Sequence, residues 1–344
     1  MATTHPARYY DKFPDGAVSC QLCPHTCFMR NGNIGVCGAR KNRNGTLLAL
    51  TYGEVTGYAI DPIEKKPLYH FMPGSKILSI GGWGCNFKCN YCQNSAISQS
   101  ESPTVPMTPA EVAKSSLERG SIGVAYTYNE PVIAIEYVLD CARAVRAAGG
   151  RNVLVSNGFV NPKPLADLLP HFDAMNIDIK AFNNEFYKKM CGGSLEPVLE
   201  TVKYLAGKVH LELTTLLIPE ANDAIPELED MAAWIAENCG RRVPCHITAY
   251  HPSYNYTRAA TTEAHLKNAR YIFRKKLDYV YLGNVNIKAA GDTVCTNCGH
   301  TVVRRVVFNV DTGGMTPTGA CANCGADNNI FTGVTPERRI LPRP

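Results

Sequence analysis

The sequence predicts an α/β fold: an open, partial barrel of parallel strands, with one cysteine-rich segment before it and another after it. Three observations carry this. From Lys76 onward, short apolar runs alternate with amphipathic helical stretches, the pattern of parallel βα units. Polar residues stand at the ends of successive strands. Cysteine, with 15 residues, is the outlier of the composition, and all but Cys141, Cys191, Cys239 and Cys245 fall in three clusters.

Residues 1–40 hold the first cysteine cluster among glycines and polar residues, and 41–75 contain short strand-like pieces and the turn-rich DPIEKKPLYHFMPGS. KILSIGG then reads as a strand. TPAEVAKSSLERG reads as a helix with Thr108 as N-cap, Pro109 in first position and Glu111 in the first turn. IGVAYTYNEP is a strand, and VIAIEYVLDCARAVRAAGG a helix with a glycine stop. NVLVSNG, AMNIDIKA, VHLELTTLLIP, CHITAYH and YVYLGNV continue as strands. PKPLADLLPHF, EPVLETVKYLAGK, IPELEDMAAWIAENCG and TEAHLKNARYIFRKKL are the helices between them. About six units and a last strand fall short of the eight that close a barrel. The predicted domains are 1–75, 76–289 and 290–344. In such folds ligands gather at the carboxyl ends of the strands.

The 344 residues and 45% hydrophobic content suffice for one large core with appendages. The net charge of +5 admits acidic small molecules but does not argue for nucleic acid. MATTHPARYYDKF lacks the apolar run of a secretory signal, and no stretch approaches 18 uninterrupted apolar residues. A soluble, cytoplasmic protein without a membrane partner is expected. In that setting clustered cysteines read as metal sites, not disulfides. The four scattered ones read as small hydrophobic core residues.

In AMNIDIKA, strand alternation puts Asn176, Asp178 and Lys180 on one face and Ile177 and Ile179 on the other. Buried charges need partners, so that face is either an internal ion pair or the floor of a site. Asn129, Glu130, Ser156, Asn157 and His251 mark other strand ends, and together they favour one shared site.

At 83–94 the chain reads WGCNFKCNYCQN, with Cys85, Cys89 and Cys92 in a Cys-x3-Cys-x2-Cys array. Thiolates select iron–sulfur clusters, zinc or copper(I). Structural zinc would want a fourth protein ligand, whereas a cubane held by three cysteines leaves one iron open. Cys20, Cys23, Cys27 and Cys37 supply a closed set for zinc or an auxiliary [4Fe–4S] cluster, with His25 read as a loop residue and free thiols as the plain alternative. Cys295-x2-Cys298 and Cys321-x2-Cys324, 22 residues apart and each followed by glycine, read as a zinc ribbon. VVRRVVFNV between them reads as one strand. Arg304 and Arg305 lie there without a broader basic patch or stacking aromatics, so nucleic acid is not expected. The ribbon caps the barrel or binds a partner protein.

The three-cysteine array, with Tyr91 before its last cysteine and a strand before the whole, resembles the signature of radical S-adenosylmethionine (SAM) enzymes. The resemblance implies a partial (β/α)6 TIM-like barrel and a [4Fe–4S] cluster on Cys85, Cys89 and Cys92. SAM chelates the fourth iron and is cleaved to methionine and a 5′-deoxyadenosyl radical that abstracts hydrogen from the substrate. The hard chemistry then belongs to the cofactors, and the barrel positions and shields them. TYNEP stands where the family has a Gly-Gly-Glu-type motif near the SAM amino group, so Glu130 is carried over, with Tyr128 and Asn129 in place of the glycines. Asn157 resembles a SAM-side loop residue, Asp178 and Lys180 a strand-end motif near the SAM ribose or carboxylate or a cation site, and His251 a ribose-side ligand.

CQLCPHTC, NGNIGVCG, DPIEKKPLYHFMPGS, GCNFKCNYCQN, TYNEP and the cysteine-rich end together resemble the AmmeMemoRadiSam-system radical SAM enzymes, which are similar to pyruvate formate-lyase activating enzymes. This resemblance spans nearly the whole chain. It implies an external electron donor such as flavodoxin or ferredoxin, a small-molecule substrate or a protein glycine, and Memo-type and AMMECR-type partner proteins. DPIEKKP reads as a solvated loop or as a lid or partner surface near the active site. Two other classes compete: a metal-rich module binding nucleic acid or protein, and an electron-transfer protein. The first has no need of an open iron site, and the second has no need of a substrate cavity.

Overall fold

In the computed structural model, which describes residues 5–334, the apolar runs build one eight-stranded sheet. Residues 1–4 and 335–344, the tail assigned above to the last domain, lie outside the described residues. The strands are β1 (Gly57–Pro62), β2 (Lys76–Gly81), β3 (Ser121–Tyr126), β4 (Arg151–Ser156), β5 (Ala174–Asp178), β6 (His210–Leu217), β7 (Cys245–Ala249) and β8 (Val280–Gly283). They lie side by side in chain order. From β2 to β8 every pair is parallel, and β1 runs antiparallel along β2. The sheet is an open barrel, as the alternation predicts.

The crossover helices are α1 (Pro109–Ser115), α2 (Ile135–Ala147), α3 (Pro162–Leu168), α4 (Glu196–Leu205), α5 (Ile225–Cys239) and α6 (Glu263–Arg274). Thr108 starts α1 with a reciprocal capping box to Glu111. In α2 the buried Ile135, Val138, Leu139, Ala142 and Val145 recur at helical spacing and face the sheet. Along β2 Ile77, Leu78, Ser79 and Ile80 are all buried, as a parallel strand covered on both sides must be.

Three sequence expectations change. The barrel sheet does not begin at Lys76, because β1 comes from the segment assigned to the extension and pairs with β2 from Gly57↔Gly81 to Pro62↔Lys76. DPIEKKP is neither a solvated loop nor a lid. Asp61 holds Lys65 at 2.9 Å and the buried Lys66 at 2.8 Å, and the chain that follows plugs the amino-terminal end of the barrel. There Tyr69 and His70 donate their backbone N–H groups to Glu212 at 2.9 and 2.7 Å. Glu212 also accepts from His210 and His246 at 2.9 and 2.7 Å. Burial opposes its charge, but the histidine bonds outweigh it and hold the carboxyl below its usual range. Polarity alone could not reveal this segment's burial, because Asp61 and Lys66 pair within the segment and Glu64 pairs with Arg305, far away in sequence.

VVRRVVFNV, finally, is not one strand. Thr301–Val306 and Asn309–Asp311 form a hairpin turning at Val307, whose φ is 56°. A β-branched residue there is strained, and neither turn residue, Val307 or Phe308, is a glycine or asparagine. Arg305 of this hairpin is buried and donates to Tyr69 O at 2.6 Å and Gly291 O at 3.0 Å. The cysteine ribbon therefore caps the plug, away from the strand ends that matter for ligands.

The N-terminal hairpins dock on α2. Arg40, 1% exposed, donates to both carboxylate oxygens of Glu136 at 2.7 Å. No helix among the described residues is long and apolar enough to cross a membrane.

Candidate active site

The three-cysteine loop leaves β2 at its carboxyl end. Asn129 accepts from Gly82 N at 3.1 Å and donates to Gly84 O at 3.0 Å, fixing how the loop departs. Gly84 has φ 87°, and a Cβ there would stand 2.5 Å from the carbonyl oxygen of Cys37. Only glycine permits that approach.

Donors converge on the sulfurs. Cys85 Sγ accepts from Phe87 N at 3.3 Å and lies 3.7 Å from Asn157 Nδ2. Ser98 Oγ lies 3.1 Å from Cys92 Sγ. The buried Cys89 thiol is lowered to about 7, first by a hydrogen bond from Cys191 against the effect of burial, and also by the charge of Lys180.

A π-helical turn, Tyr187–Cys191, clasps the loop: Lys88 N donates to Cys191 O at 2.7 Å and Asn90 N to Met190 O at 3.1 Å. π-turns concentrate at functional sites. Gly192 ends the turn at φ 70°, and a Cβ at Gly193 would lie 2.3 Å from the Phe87 ring. On the other side Ser253 Oγ donates to Cys92 O at 3.2 Å.

The strand ends surround this loop. Tyr128, in place of a family glycine, takes φ 74° and so keeps a glycine-like backbone path. Its hydroxyl donates to Asp61 at 2.7 Å. Glu130 is buried and accepts from Val132 N, Ser156 Oγ and Asn157 N at 3.0, 2.9 and 2.8 Å. Burial pushes its carboxyl up to about 7 despite these bonds. Asn157 Nδ2 donates to Asn86 Oδ1 at 2.8 Å, and Asn157 Oδ1 accepts from Phe159 N at 2.9 Å.

Lys180 pairs with Asp178 at 2.9 Å. Burial disfavours its ammonium, but Asp178, Cys89 and Cys191 more than offset this and raise it well above the usual lysine range. Glu130, Asn157, Asp178 and Lys180 thus share one neighbourhood with Cys85 and Cys89. Asn176 does not face them: it donates to Pro67 O at 2.7 Å and accepts from Thr214 Oγ1 at 2.8 Å, toward the plug. His251 lies exposed beyond β7.

Three residues of this site escaped the sequence reading. By sequence alone Cys191 is a small hydrophobic core residue, and nothing local marks Asn86 or Ser98. The pair Gly192–Gly193 after Cys191 was the available signal, since adjacent glycines mark close backbone approach.

The cysteine sets differ in spacing. The sulfurs of Cys295, Cys298, Cys321 and Cys324 all lie within 4.8 Å of one another, and no other group of three or more potential ligands among the described residues does so. Zinc–sulfur bonds of about 2.3 Å put tetrahedral sulfurs about 4 Å apart, so the ribbon is shaped for a single ion. The barrel cysteines are spread wider, as a cage of several irons requires. Soft sulfur donors, N–H groups aimed at sulfur and this spread fit an iron–sulfur cluster.

Comparison with known proteins agrees with the geometry. Residues 80–235 match the model of the radical SAM superfamily. An uncharacterized protein of Methanocaldococcus jannaschii is 40% identical over 332 residues, covering 94% of this chain and 98% of its own. The pyruvate formate-lyase 1-activating enzyme of Escherichia coli strain K12 is 30% identical over 148 residues, covering 41% of this chain and 60% of that enzyme. Among solved structures, a radical SAM methyltransferase from Sphaerobacter thermophilus aligns over 84% of this chain and 80% of its own, at 13% identity and a TM-score of 0.49. The chain belongs to the radical SAM superfamily and is an enzyme of that superfamily.

Proposed function

We propose that Cys85, Cys89 and Cys92 hold a [4Fe–4S] cluster whose open iron takes the amino and carboxylate groups of SAM. The observation that carries this is the three-sulfur loop at the end of β2, too widely spread for a single ion and without a fourth cysteine ligand in the loop. When bound there, the pair supplies a 5′-deoxyadenosyl radical for hydrogen abstraction.

The chain's own residues hold and shield that chemistry. Asn157 and Phe87 N donate toward the Cys85 sulfur. Glu130 fixes the Ser156–Asn157 loop through both carboxylate oxygens, and its negative charge suits the SAM ammonium. Asp178 and Lys180 face the SAM carboxylate or ribose, with His251 on the ribose side. The Ser253 loop covers Cys92 and keeps water from that side.

Likeness to the activating enzyme supports hydrogen abstraction from a protein glycine, with a small metabolite as the other substrate class. The electron comes from a flavodoxin- or ferredoxin-type donor in the cytoplasm, and Memo-type and AMMECR-type proteins are the proposed partners. Zinc fills the ribbon, whose four sulfurs are spaced for it.

Anaerobic reconstitution with iron and sulfide, reduction and addition of SAM tests the reading. The wild type releases 5′-deoxyadenosine and Cys89→Ala does not. Absence of product from wild type with an intact reduced cluster would refute it.

A further inference from the structure

Cys20, Cys23, Cys27 and Cys37 come together on the face of the N-terminal segment that meets the barrel loop. Cys20 N donates to Cys27 O at 3.0 Å, Thr26 N donates to Cys23 O at 3.1 Å, and Val36, the residue before Cys37, reaches Cys27 Sγ. The sulfurs of this set do not form an ion-sized cage, whereas those of the ribbon do. Structural anchoring of this segment is already supplied by the Arg40–Glu136 pair.

Its position is specific. The carbonyl of Cys37 meets Gly84, the residue before Cys85. His25, inside the Cys23–Cys27 loop, donates through Nε2 to the carbonyl oxygen of Asn86, the residue after Cys85, at 2.7 Å. The two cysteine loops therefore touch on both sides of Cys85. The opposite side of the set faces outward: Cys27 is half-buried, and Phe28 and Val36 beside Cys27 and Cys37 are exposed. Val36 N donates to Cys27 Sγ at 3.5 Å, the kind of bond that tunes a cluster sulfur.

We propose that these four cysteines hold a second [4Fe–4S] cluster that relays single electrons from outside to the barrel cluster. This rests on the reading of Cys85, Cys89 and Cys92 as cluster ligands. One electron leaves a low-potential flavodoxin- or ferredoxin-type donor, reduces the N-terminal cluster, and passes across the His25–Asn86 and Cys37–Gly84 contacts to the barrel cluster. The N-terminal cluster returns to its oxidised state, and no bond forms or breaks.

The full chain carrying Cys85→Ala, Cys89→Ala and Cys92→Ala tests the site apart from the barrel reading. After anaerobic reconstitution it keeps about four irons and four sulfides per chain, with a cubane electron paramagnetic resonance (EPR) signal on reduction. A folded, iron-free variant, or one with zinc in both four-cysteine sites, overturns the proposal. If that variant does not fold, the wild type decides by iron count: about eight supports the second cluster and about four refutes it. The relay is read separately, with Cys23→Ser/Cys37→Ser. Reduction of its barrel cluster by reduced flavodoxin slows severalfold while reduction by dithionite is unchanged. An unchanged rate with flavodoxin overturns the relay.

Discussion

The hydroxyl of Tyr91 stands 3.2 Å from the sulfur of Cys191, so the aromatic residue of the three-cysteine array reaches the thiol that itself bonds Cys89. Cys89, Tyr91 and Cys191 form one buried chain of polar atoms beneath the loop. Cys191→Ala removes the donor that lowers Cys89. The expected result is a more negative midpoint potential of the barrel cluster in an EPR-monitored redox titration, since hydrogen bonds to cluster sulfurs raise it. An unchanged potential would assign Cys191 to packing alone.

Arg40 and Glu136 join the N-terminal segment to α2 through a pair that is nearly inaccessible to water. Arg40→Met leaves the Glu136 charge buried without its partner. Breaking a buried pair in this way costs about 3–5 kcal/mol. Urea denaturation should show that loss, and a change below about 1 kcal/mol would place the pair among weakly contributing surface pairs.

Much of the fold is legible in the sequence because each βα unit carries its own signals. The Thr108 capping box, the spacing of apolar residues in α2 and the apolar run of β2 are all local. The three cysteines were legible for the same reason. What stayed hidden depends on distant partners. Glu64 and Glu212 look solvated until Arg305, β6, β7 and the segment after β1 are brought together. The turn at Val307 contradicts the local preference of its residues. Cys191 gains its place near Cys89 only from the π-turn.

Glu130 sets a pH dependence. Its carboxyl is raised from 4.5 to about 7 by burial. Between those values the folded chain keeps a proton that the unfolded chain has lost. The stabilisation is full below the unfolded value and is lost as pH rises to about 7. The span corresponds to about 3 kcal/mol. Glu130→Gln does not titrate, so wild-type stability relative to this variant should fall from pH 4.5 to 7 and level off above. A constant difference in denaturation midpoints across that range would contradict the assignment.

In the ribbon the Cys298 thiol is lowered to about 6, first by the side-chain amide of Asn323, which donates to its sulfur at 3.5 Å. Asn323→Ala should raise that thiol and make the ribbon release its metal at a higher pH. A colorimetric chelator assay across pH reads this, with the barrel cluster's visible absorbance as internal control. Identical release profiles would show that the amide has no part in holding the metal.

Under the proposed function, the three-sulfur loop at the end of β2 leaves one iron open for SAM. Electron–nuclear double resonance on the reduced, reconstituted enzyme tests this directly, using SAM isotopically labelled at its amino nitrogen or at its carboxylate oxygens. Hyperfine coupling from both labels to the barrel cluster is the predicted result. A reduced, intact cluster that couples to neither label, with SAM in excess, would contradict it.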